Sequence, residues 1–306
     1  MKMIRIGKNM EKDPAVVVGM MRFSSLNKEE AEHYVMHAVE RGANYFDHAD
    51  IYDAGACEAL FGEVLKQHAS LREQLVIQSK CGIVPGKMYD LSREHIVTSV
   101  DASLKRLHTE YLDYLILHRP DALMDPEEIA YTMDYLVKQG KVAKFGVSNM
   151  NPMQLELLLR YVRQPIAINQ LQLSLPHSNM IAAGLETNMI SEGAINRDGY
   201  VLDYCRVHNI TVQAWSPFQY GQIEGCFIDD PKFEALNEVM ATLAKRYDTS
   251  KTAIAAAWIF RHPANMQLVA GTTKEDRLDE IIAASRLKLK REEWYALYMA
   301  AGHILP

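Results

Sequence analysis

Four polar side chains in this sequence have types and spacing that suit acid–base chemistry. Asp47, Lys80 and His118 each stand at the end of a short apolar run, and Tyr52 follows shortly after Asp47. A free tyrosine titrates near ~10, and an ammonium within about 4–6 Å lowers that pKa by favouring the phenolate. We expect Lys80 to supply this charge, with Asp47 orienting the ammonium. A carbonyl oxygen held by Tyr52 and His118 would be polarised for hydride delivery to its carbon, without a metal.

Each of these residues also has an ordinary structural interpretation when it is taken alone. Asp47 suits a turn or a helix cap, and Lys80 suits a solvated surface. His118 stands before Arg119-Pro120 and suits a structural histidine, while Tyr52 suits packing. The functional interpretation depends on several separate strand ends agreeing, not on any single residue.

Eight short apolar runs alternate with longer helical patterns, which predicts βαβ units and a parallel sheet. Most runs are apolar without clean alternation, as is typical of strands buried on both faces. The predicted strands are Val16–Met20, Asn44–Asp47, Leu75–Ser79, Leu112–Leu117, Ala143–Val147, Ile166–Gln170, Thr211–Ala214 and Leu268–Gly271. This pattern predicts an α/β fold, a closed (β/α)8 TIM barrel in which residues 1–306 form a single domain.

An open doubly wound sheet is the alternative architecture. The dinucleotide motif G-x-G-x-x-G is absent after every predicted strand, which weighs against that sheet if a nucleotide is bound. Two connections, Leu171–Gly199 and Ser216–Asp230, are long. Loops of that length in a compact domain are usually functional, and both lie at the C-terminal face of the predicted barrel, where such enzymes place their sites.

Start and stop signals mark the predicted helices. Asn27 is followed three residues later by Glu30, which predicts a capping box. Pro126 follows Asp125, and that helix ends before Gly140, as the Pro and Gly preferences of helix ends predict. The predicted helices are Asn27–Arg41, Ser92–Leu107, Pro126–Gln139, Pro152–Val162, Tyr200–His208, Pro231–Tyr247, Lys251–Arg261 and Arg291–Ala301.

Composition limits the class of protein. The chain has 306 residues, is 48% hydrophobic and 24% charged, and has a formal net charge of −6, which is ordinary globular composition without the basic stripe of a nucleic-acid-binding protein. The N-terminus lacks the apolar segment of a signal peptide, and no apolar run is long enough to span a membrane. The four cysteines show no metal or redox spacing and indicate reduced thiols in a cytoplasmic protein.

Three smaller patterns have competing interpretations. Hydroxyls, helix-start N–H groups and two cations in Gly271–Glu280 suggest a phosphate site, against a capped surface helix. His33 and His37 have the spacing of a metal pair, but no third ligand is evident, so a solvated helix face is favoured. Cys81 beside Lys80 suits a redox thiol less well than a small buried packing residue.

With these residues in place, the sequence resembles the aldo-keto reductase superfamily over nearly its whole length. The blocks that carry the resemblance are Gly42-Ala-Asn-Tyr-Phe-Asp-His-Ala-Asp-Ile-Tyr52, Gln78-Ser-Lys80, Leu115-Ile-Leu-His-Arg-Pro-Asp121, Gly140-Lys-Val142 with Gly146-Val-Ser-Asn149, Asn169-Gln170, Ala214-Trp-Ser-Pro217, and Gly271-Thr-Thr273 with Arg277-Leu278. The ending Trp294 with Ala300-Ala-Gly302 is similar to a bacterial branch with a short C-terminal tail.

The resemblance implies a role for each matching residue. It implies that Asp47, Tyr52, Lys80 and His118 are a catalytic tetrad with Tyr52 as general acid. It implies that NADP(H), or alternatively NAD(H), is the cofactor. The residues implied to bind that cofactor are Met20, Met21, Asp47, Ser148, Asn149, Gln170, Trp215, Ser216, Pro217, Phe218, Thr272, Thr273, Lys274, Arg277 and Glu280.

Within that set, the resemblance gives particular regions to parts of the cofactor. Ser148, Asn149 and Gln170 would hold the nicotinamide carboxamide, and Trp215 would stack on the ring. The segment 216–218 would follow the pyrophosphate. Lys274 and Arg277 would approach the adenosine phosphate, which favours NADP(H).

The sequence departs from the family pattern at three positions. Asp53 stands where many members have glycine after the tyrosine, so the turn after Tyr52 is in question. Gly271 replaces a common lysine and Ile281 a common asparagine, so fewer contacts to the 2′-phosphate and adenine are implied. The C-terminal substrate loop is short, which leaves the two long connections to shape the pocket.

The leading interpretation is an oxidoreductase that reduces aldehyde or ketone carbonyls to alcohols with NAD(P)H. Its partner would be a small carbonyl substrate, with neither nucleic acid nor membrane, in a monomer or weak homo-oligomer. One alternative is a non-catalytic NADPH-binding regulatory module on the same fold. A weaker alternative is a Schiff-base aldolase that uses Lys80 and leaves the Gly271–Glu280 segment without a use.

Overall fold

The computed structural model describes residues 1–8, 12–221 and 225–305. Eight parallel strands close into one barrel, because the last strand pairs with the first. In chain order the barrel strands are β3 (Val16–Gly19), β4 (Tyr45–Asp47), β5 (Val76–Cys81), β8 (Leu112–Leu117), β9 (Val142–Ser148), β10 (Ile166–Gln172), β11 (Thr211–Trp215) and β12 (Gln267–Ala270). The predicted (β/α)8 barrel is therefore confirmed, with strand ends within two residues of the predicted ones.

In the described residues, two antiparallel hairpins lie outside the barrel, and the sequence patterns predicted neither of them. β1 (Met3–Arg5) pairs antiparallel with β2 (Lys12–Pro14), and the chain passes from Pro14 through Ala15 into the barrel strand β3. Gly7, between these strands, donates its N–H to Thr211 at the start of β11. The first hairpin therefore lies at the N-terminal end of the barrel. The second, β6 (Ile83–Val84) with β7 (Met88–Tyr89), follows β5 at the opposite end.

Helices surround the barrel. They are α1 (Lys28–Glu40), α2 (Ala56–Gln67), α3 (Arg93–Arg106), α4 (Pro126–Lys138), α5 (Pro152–Leu159), α6 (Asn179–Leu185), α7 (Val201–His208), α8 (Glu234–Arg246), α9 (Lys251–Arg261), α10 (Glu275–Ala284) and α11 (Arg291–Ala300). Within the described ranges, the longest has 14 residues, and no helix has the length and apolar character that crossing a bilayer requires.

Several helices begin where the sequence predicts, because side chains cap their first N–H groups. Asn27 accepts the Glu30 N–H at 3.0 Å while Glu30 accepts the Asn27 N–H at 2.9 Å, so the predicted capping box forms. Asp125 accepts the backbone N–H of Glu127 ahead of α4. These contacts satisfy N–H groups that have no partner inside the helix.

The structure corrects two predicted elements and adds a helix that the sequence patterns missed. Residues 171–199 are not an unbroken loop, because α6 and a short 3-10 turn (Glu192–Ala194) lie within them. The helix predicted from Pro231 begins as a 3-10 turn, and α8 starts only at Glu234. Helix α2 was not predicted at all. Of the connection predicted at 216–230, residues 222–224 lie outside the described part of the chain.

Candidate active site

Lys80 is the centre of a buried polar cluster at the C-terminal ends of β4 and β5. Its Nζ lies 2.7 and 2.8 Å from the two carboxylate oxygens of Asp47. It also donates to the His48 carbonyl at 2.7 Å and lies 3.0 Å from the Tyr52 hydroxyl. Lys80 and Asp47 are only 1% and 2% exposed. The ammonium thus has three acceptors of different kinds within reach of its three N–H groups.

The environment of this cluster shifts the pKa values of both Lys80 and Tyr52. Burial opposes the charged form of Lys80, but the Asp47 carboxylate and Tyr52 outweigh it and raise the pKa of the ammonium. Burial also raises the pKa of the Tyr52 phenol, with Lys80 acting in the opposite direction. The expectation of a lowered tyrosine pKa was therefore wrong, because desolvation of the phenolate exceeds the attraction of the ammonium. Tyr52 is a protonated hydroxyl at neutral pH.

His118 directly follows β8 and faces Tyr52. Its ring is perpendicular to the Tyr52 ring, with centroids 6.2 Å apart. Burial, together with the nearby positive charges of Lys80 and Arg119, lowers the pKa of His118 well below its ordinary value. Among the described residues, nothing hydrogen-bonds its Nδ1. A neutral imidazole in this position can donate one N–H to a substrate oxygen.

The turn after Tyr52 shows how this sequence departs from the family pattern. Asp53 and Ala54 have φ values of 47° and 50°, and Gly55 has 92°. The left-handed conformation is uncommon for residues other than glycine, although aspartate is among those that tolerate it. The left-handed geometry is thus retained without a glycine at position 53. Just before this turn, the Asp50 N–H donates to the Lys80 carbonyl at 3.0 Å, and this hydrogen bond connects the chain to the end of β5.

Beneath the Asp47–Lys80 pair, a chain of glutamine side chains fills the barrel interior. Gln267 donates to the Pro14 carbonyl at 2.7 Å, and its own oxygen accepts from Gln213 at 2.8 Å. The Gln213 oxygen accepts from Gln78 and Gln170, each at 3.0 Å. All four glutamines are at most 4% exposed.

This chain has a fixed direction. The Pro14 carbonyl is only an acceptor, so Gln267 must turn its NH₂ toward it, and each amide above follows in the same sense. The last two amides, Gln78 and Gln170, therefore present N–H groups to Asp47 Oδ1 at 2.5 and 3.3 Å. A carboxylate fits these donors better than a protonated acid would. Sequence reasoning missed Gln78, Gln213 and Gln267, although for the first two a glutamine within an apolar predicted strand was an available signal.

The residues predicted to hold a nicotinamide carboxamide lie at adjacent strand ends. Ser148 ends β9 and donates to the Gln170 carbonyl at 3.0 Å, and Asn149 donates to Ser148 Oγ at 2.7 Å. The Gln170 NH₂ donates to Asp47 and Gln213, and no residue in the described part of the chain hydrogen-bonds Gln170 Oε1, which suits it to a ligand. Trp215 ends β11, and its Nε1 is buried without a partner in the described part of the chain.

The remaining residues predicted to contact the nicotinamide and pyrophosphate follow β11 and β3. Ser216 has a left-handed φ of 49° and donates to the Gln219 side chain at 2.6 Å. Pro217 is buried and Phe218 packs partly into the core. After β3, Met20 is buried, whereas Met21 is 38% exposed.

The predicted phosphate segment connects β12 to the start of α10. Thr272 accepts from the Tyr34 hydroxyl at 2.5 Å, and its Oγ1 accepts the Lys274 N–H at 3.1 Å. Lys274 stands at the N-cap of α10, and both Lys274 and Arg277 are exposed, with Thr273 and Glu280 partly exposed. Arg22, which sequence reasoning missed, reaches the Gly271 carbonyl at 2.9 Å.

The other two of the smaller sequence patterns are the pair His33 and His37, and Cys81. His33 and His37 pair with carboxylates of α10, Glu275 at 2.6 Å and Asp279 at 2.9 Å. Within residues 1–8, 12–221 and 225–305, no group of histidine, cysteine and acidic side chains is placed to hold a metal ion. Cys81 is 1% exposed in the core, in agreement with the packing interpretation.

His48 provides a prediction about pH and stability. It is fully buried against Phe61, and neither ring nitrogen has a hydrogen-bond partner in the described residues. Burial, aided by the Lys80 charge, lowers its pKa from 6.5 to about 3. The unfolded state therefore binds more protons between these values, so the contribution to stability is present above pH 6.5 and is lost as pH falls.

We expect His48→Leu to reduce the loss of unfolding free energy between pH 7 and pH 5 by about 2 kcal/mol. Urea unfolding at the two pH values measures this difference. His33→Leu, at a side chain that is 74% exposed, is the control for loss of an exposed histidine. Equal pH dependence in the wild type and His48→Leu would contradict the assignment.

Comparison with known proteins identifies what the chain is similar to. The model of the Aldo/keto reductase family matches residues 15–300. The uncharacterized oxidoreductase YcsN of Bacillus subtilis is 34% identical over 95% of this chain and 95% of its own length. The 6-dehydroglucose reductase of Agrobacterium fabrum is 31% identical, covering 94% and 93%. The crystal structure of the thermostable aldo-keto reductase Tm1743, in complex with epalrestat, matches with a TM-score of 0.79, 25% identity, and coverage of 98% and 100%.

Proposed function

This chain belongs to the aldo/keto reductase family, and we propose that it reduces an aldehyde or ketone to an alcohol with NAD(P)H. The observation that carries the proposal is the buried contact of Lys80 with both Asp47 and Tyr52. It couples a protonated phenol to a fixed ammonium at the edge of the barrel where parallel strands end. NADP(H) is the proposed cofactor, with NAD(H) as the alternative.

The residues present fit a nicotinamide cofactor. Ser148, Asn149 and the free oxygen of Gln170 suit the carboxamide, and Trp215 offers an aromatic surface beside them. The N–H groups at the start of α10, with Lys274 and Arg277, suit a phosphate. Bound there, the cofactor would supply the hydride that adds to the carbonyl carbon.

The residues of this chain would supply the proton. Tyr52 is the proposed general acid, which donates its phenolic proton to the carbonyl oxygen as the alcohol forms. Lys80 then stabilises the phenolate across the 3.0 Å contact, because its charge is maintained by Asp47. His118, which is neutral, would donate an N–H to the same oxygen and hold it beside Tyr52.

The Schiff-base alternative is disfavoured by the state of Lys80. Imine formation needs a neutral amine that is free to attack a carbonyl. Here the Lys80 ammonium faces Asp47, the His48 carbonyl and Tyr52, and its pKa is raised by Asp47 and Tyr52 despite its burial. Lys80 is better suited to orienting Tyr52 than to forming a covalent bond.

Turnover and cofactor binding together test the proposal. Consumption of NADPH and of NADH would be followed by absorbance with a panel of aldehydes, ketones and quinones. The panel includes 6-dehydroglucose, since a relative bears the name of its reductase. We expect reduction of at least one carbonyl class, with NADPH preferred. Tight NADPH binding without turnover of any compound would instead support the regulatory module.

A further inference from the structure

A cavity of about 480 Å³ has in its wall Arg119, the residue that directly follows His118. It lies between the ends of β9–β11 and the segment that contains α6. This volume is within the range of small-molecule sites. Its lining includes Arg119, Asn149, His177, Met180, Arg197 and Trp215.

Two of the charged groups at this cavity already have partners. Arg197 pairs with the Glu192 carboxylate and donates to the Ile195 carbonyl at 3.5 Å. Asp198 accepts the backbone N–H groups of Tyr200 and Val201 at 3.0 and 3.4 Å, so its carboxylate is used where α7 begins. The Arg197 charge is therefore balanced by Glu192, whereas the Asp198 charge is stabilised by the backbone N–H groups at the start of α7.

Arg119 is a charged group in the cavity wall that has no anionic partner in the described residues. Nothing in residues 1–8, 12–221 and 225–305 forms an ion pair or hydrogen bond with its guanidinium, which lies 5.7 Å from the centroid of the Trp215 ring. Arg119 directly follows His118, so its charge stands beside the proposed reacting centre. The guanidinium of Arg119 is thus a set of N–H donors in the cavity wall that these ranges leave unused.

We propose that this cavity receives a carbonyl compound that carries a carboxylate, and that Arg119 binds the carboxylate while the carbonyl group faces Tyr52 and His118. The inference rests on the proposed reductase function and names the class of its substrate. A guanidinium matches a carboxylate with two parallel N–H contacts. A half-buried arginine without an anionic partner gains more from such a ligand than from a neutral hydroxyl or ester.

A matched pair of aldehydes tests the proposal. 4-Carboxybenzaldehyde and methyl 4-formylbenzoate have similar shapes and differ in charge. With NADPH we expect the wild type to prefer the carboxylate in kcat/KM by about 10- to 100-fold. In Arg119→Met the ratio should fall to about one, through a higher KM for the carboxylate alone. Arg93→Met is the charge-matched control, because Arg93 lies over Tyr131 and Tyr135 on the outer helices.

Binding measured without turnover separates this proposal from the proposed function. Calorimetry with 4-(hydroxymethyl)benzoate and its methyl ester, in the presence of NADPH, reports preference for the anion directly, because an alcohol and NADPH are both reduced and cannot react. Reduction of the neutral ester with no preference for the carboxylate would overturn the anion proposal and leave the reductase function standing. A preference in binding that Arg119→Met removes, without turnover of either aldehyde, would support the anion site and count against the reductase. A preference that persists in Arg119→Met would overturn the role of Arg119.

Discussion

Tyr52→Phe is expected to lower kcat for carbonyl reduction by a factor of about 10² to 10⁴, the usual contribution of a general acid. The substitution removes only the hydroxyl that lies 3.0 Å from Lys80 Nζ, and it keeps the ring that packs partly against the core. Cofactor affinity should change little, because the groups proposed to hold the nicotinamide carboxamide and the phosphate lie in or after β9, β10 and β12, away from the turn that carries Tyr52. Steady-state kinetics and a fluorescence titration with NADPH measure the two quantities.

Tyr89→Phe is the matched control for this substitution. It removes the same atom from a tyrosine that is 49% exposed in the second hairpin, and we expect kcat to remain near that of the wild type. A Tyr52→Phe variant that retained most of its kcat would remove Tyr52 from the proposed mechanism. Loss of NADPH binding in that variant would instead give Tyr52 a role in holding the cofactor.

Lys80→Met should have the largest effect on stability. The Asp47 carboxylate would remain buried without its cation, and breaking a buried ion pair in this way typically costs about 3–5 kcal/mol. Activity should also fall, because the phenolate of Tyr52 would lose the adjacent ammonium. Urea unfolding measures the free energy, and NADPH consumption measures the rate.

A double substitution tests whether the stability lost in Lys80→Met comes from the unpaired charge of Asp47. In Lys80→Met with Asp47→Asn both charges are absent, so we expect the double variant to be more stable than Lys80→Met alone. Lys28→Met is the surface control, since Lys28 is 71% exposed in its pair with Glu63 and such pairs contribute about 0–1 kcal/mol. Equal stability of Lys80→Met and Lys28→Met would contradict a buried, charged Asp47–Lys80 pair.

The sequence predicts much of this arrangement because parallel barrel strands all end on one face. Once Asp47, Lys80 and His118 are placed at strand ends, their convergence follows from chain order and strand closure. The helix starts at Asn27 and Asp125 are also predictable, since their signals act within three residues. These features depend on local chemistry and on one general rule of topology.

Other features depend on packing that no local pattern expresses. Helix α2 begins after Gly55, which is left-handed and has no side-chain cap, so the usual start signal is missing. The raised pKa of Tyr52 depends on how completely the folded chain excludes water from the phenol. The cavity beside Arg119 is formed partly by the segment containing α6, which is distant in sequence.

The directed glutamine chain also has a consequence for redesign of the enzyme. It connects the carbonyl of Pro14, beneath the barrel, to the carboxylate of Asp47 at the opposite end. A substitution near Pro14 or at Gln267 can therefore disturb chemistry at a site that it does not touch, because each amide fixes the orientation of the next. Substrate range should be adjustable at Arg119 and the surrounding connections. The interior glutamines should therefore be kept unchanged in a library of variants.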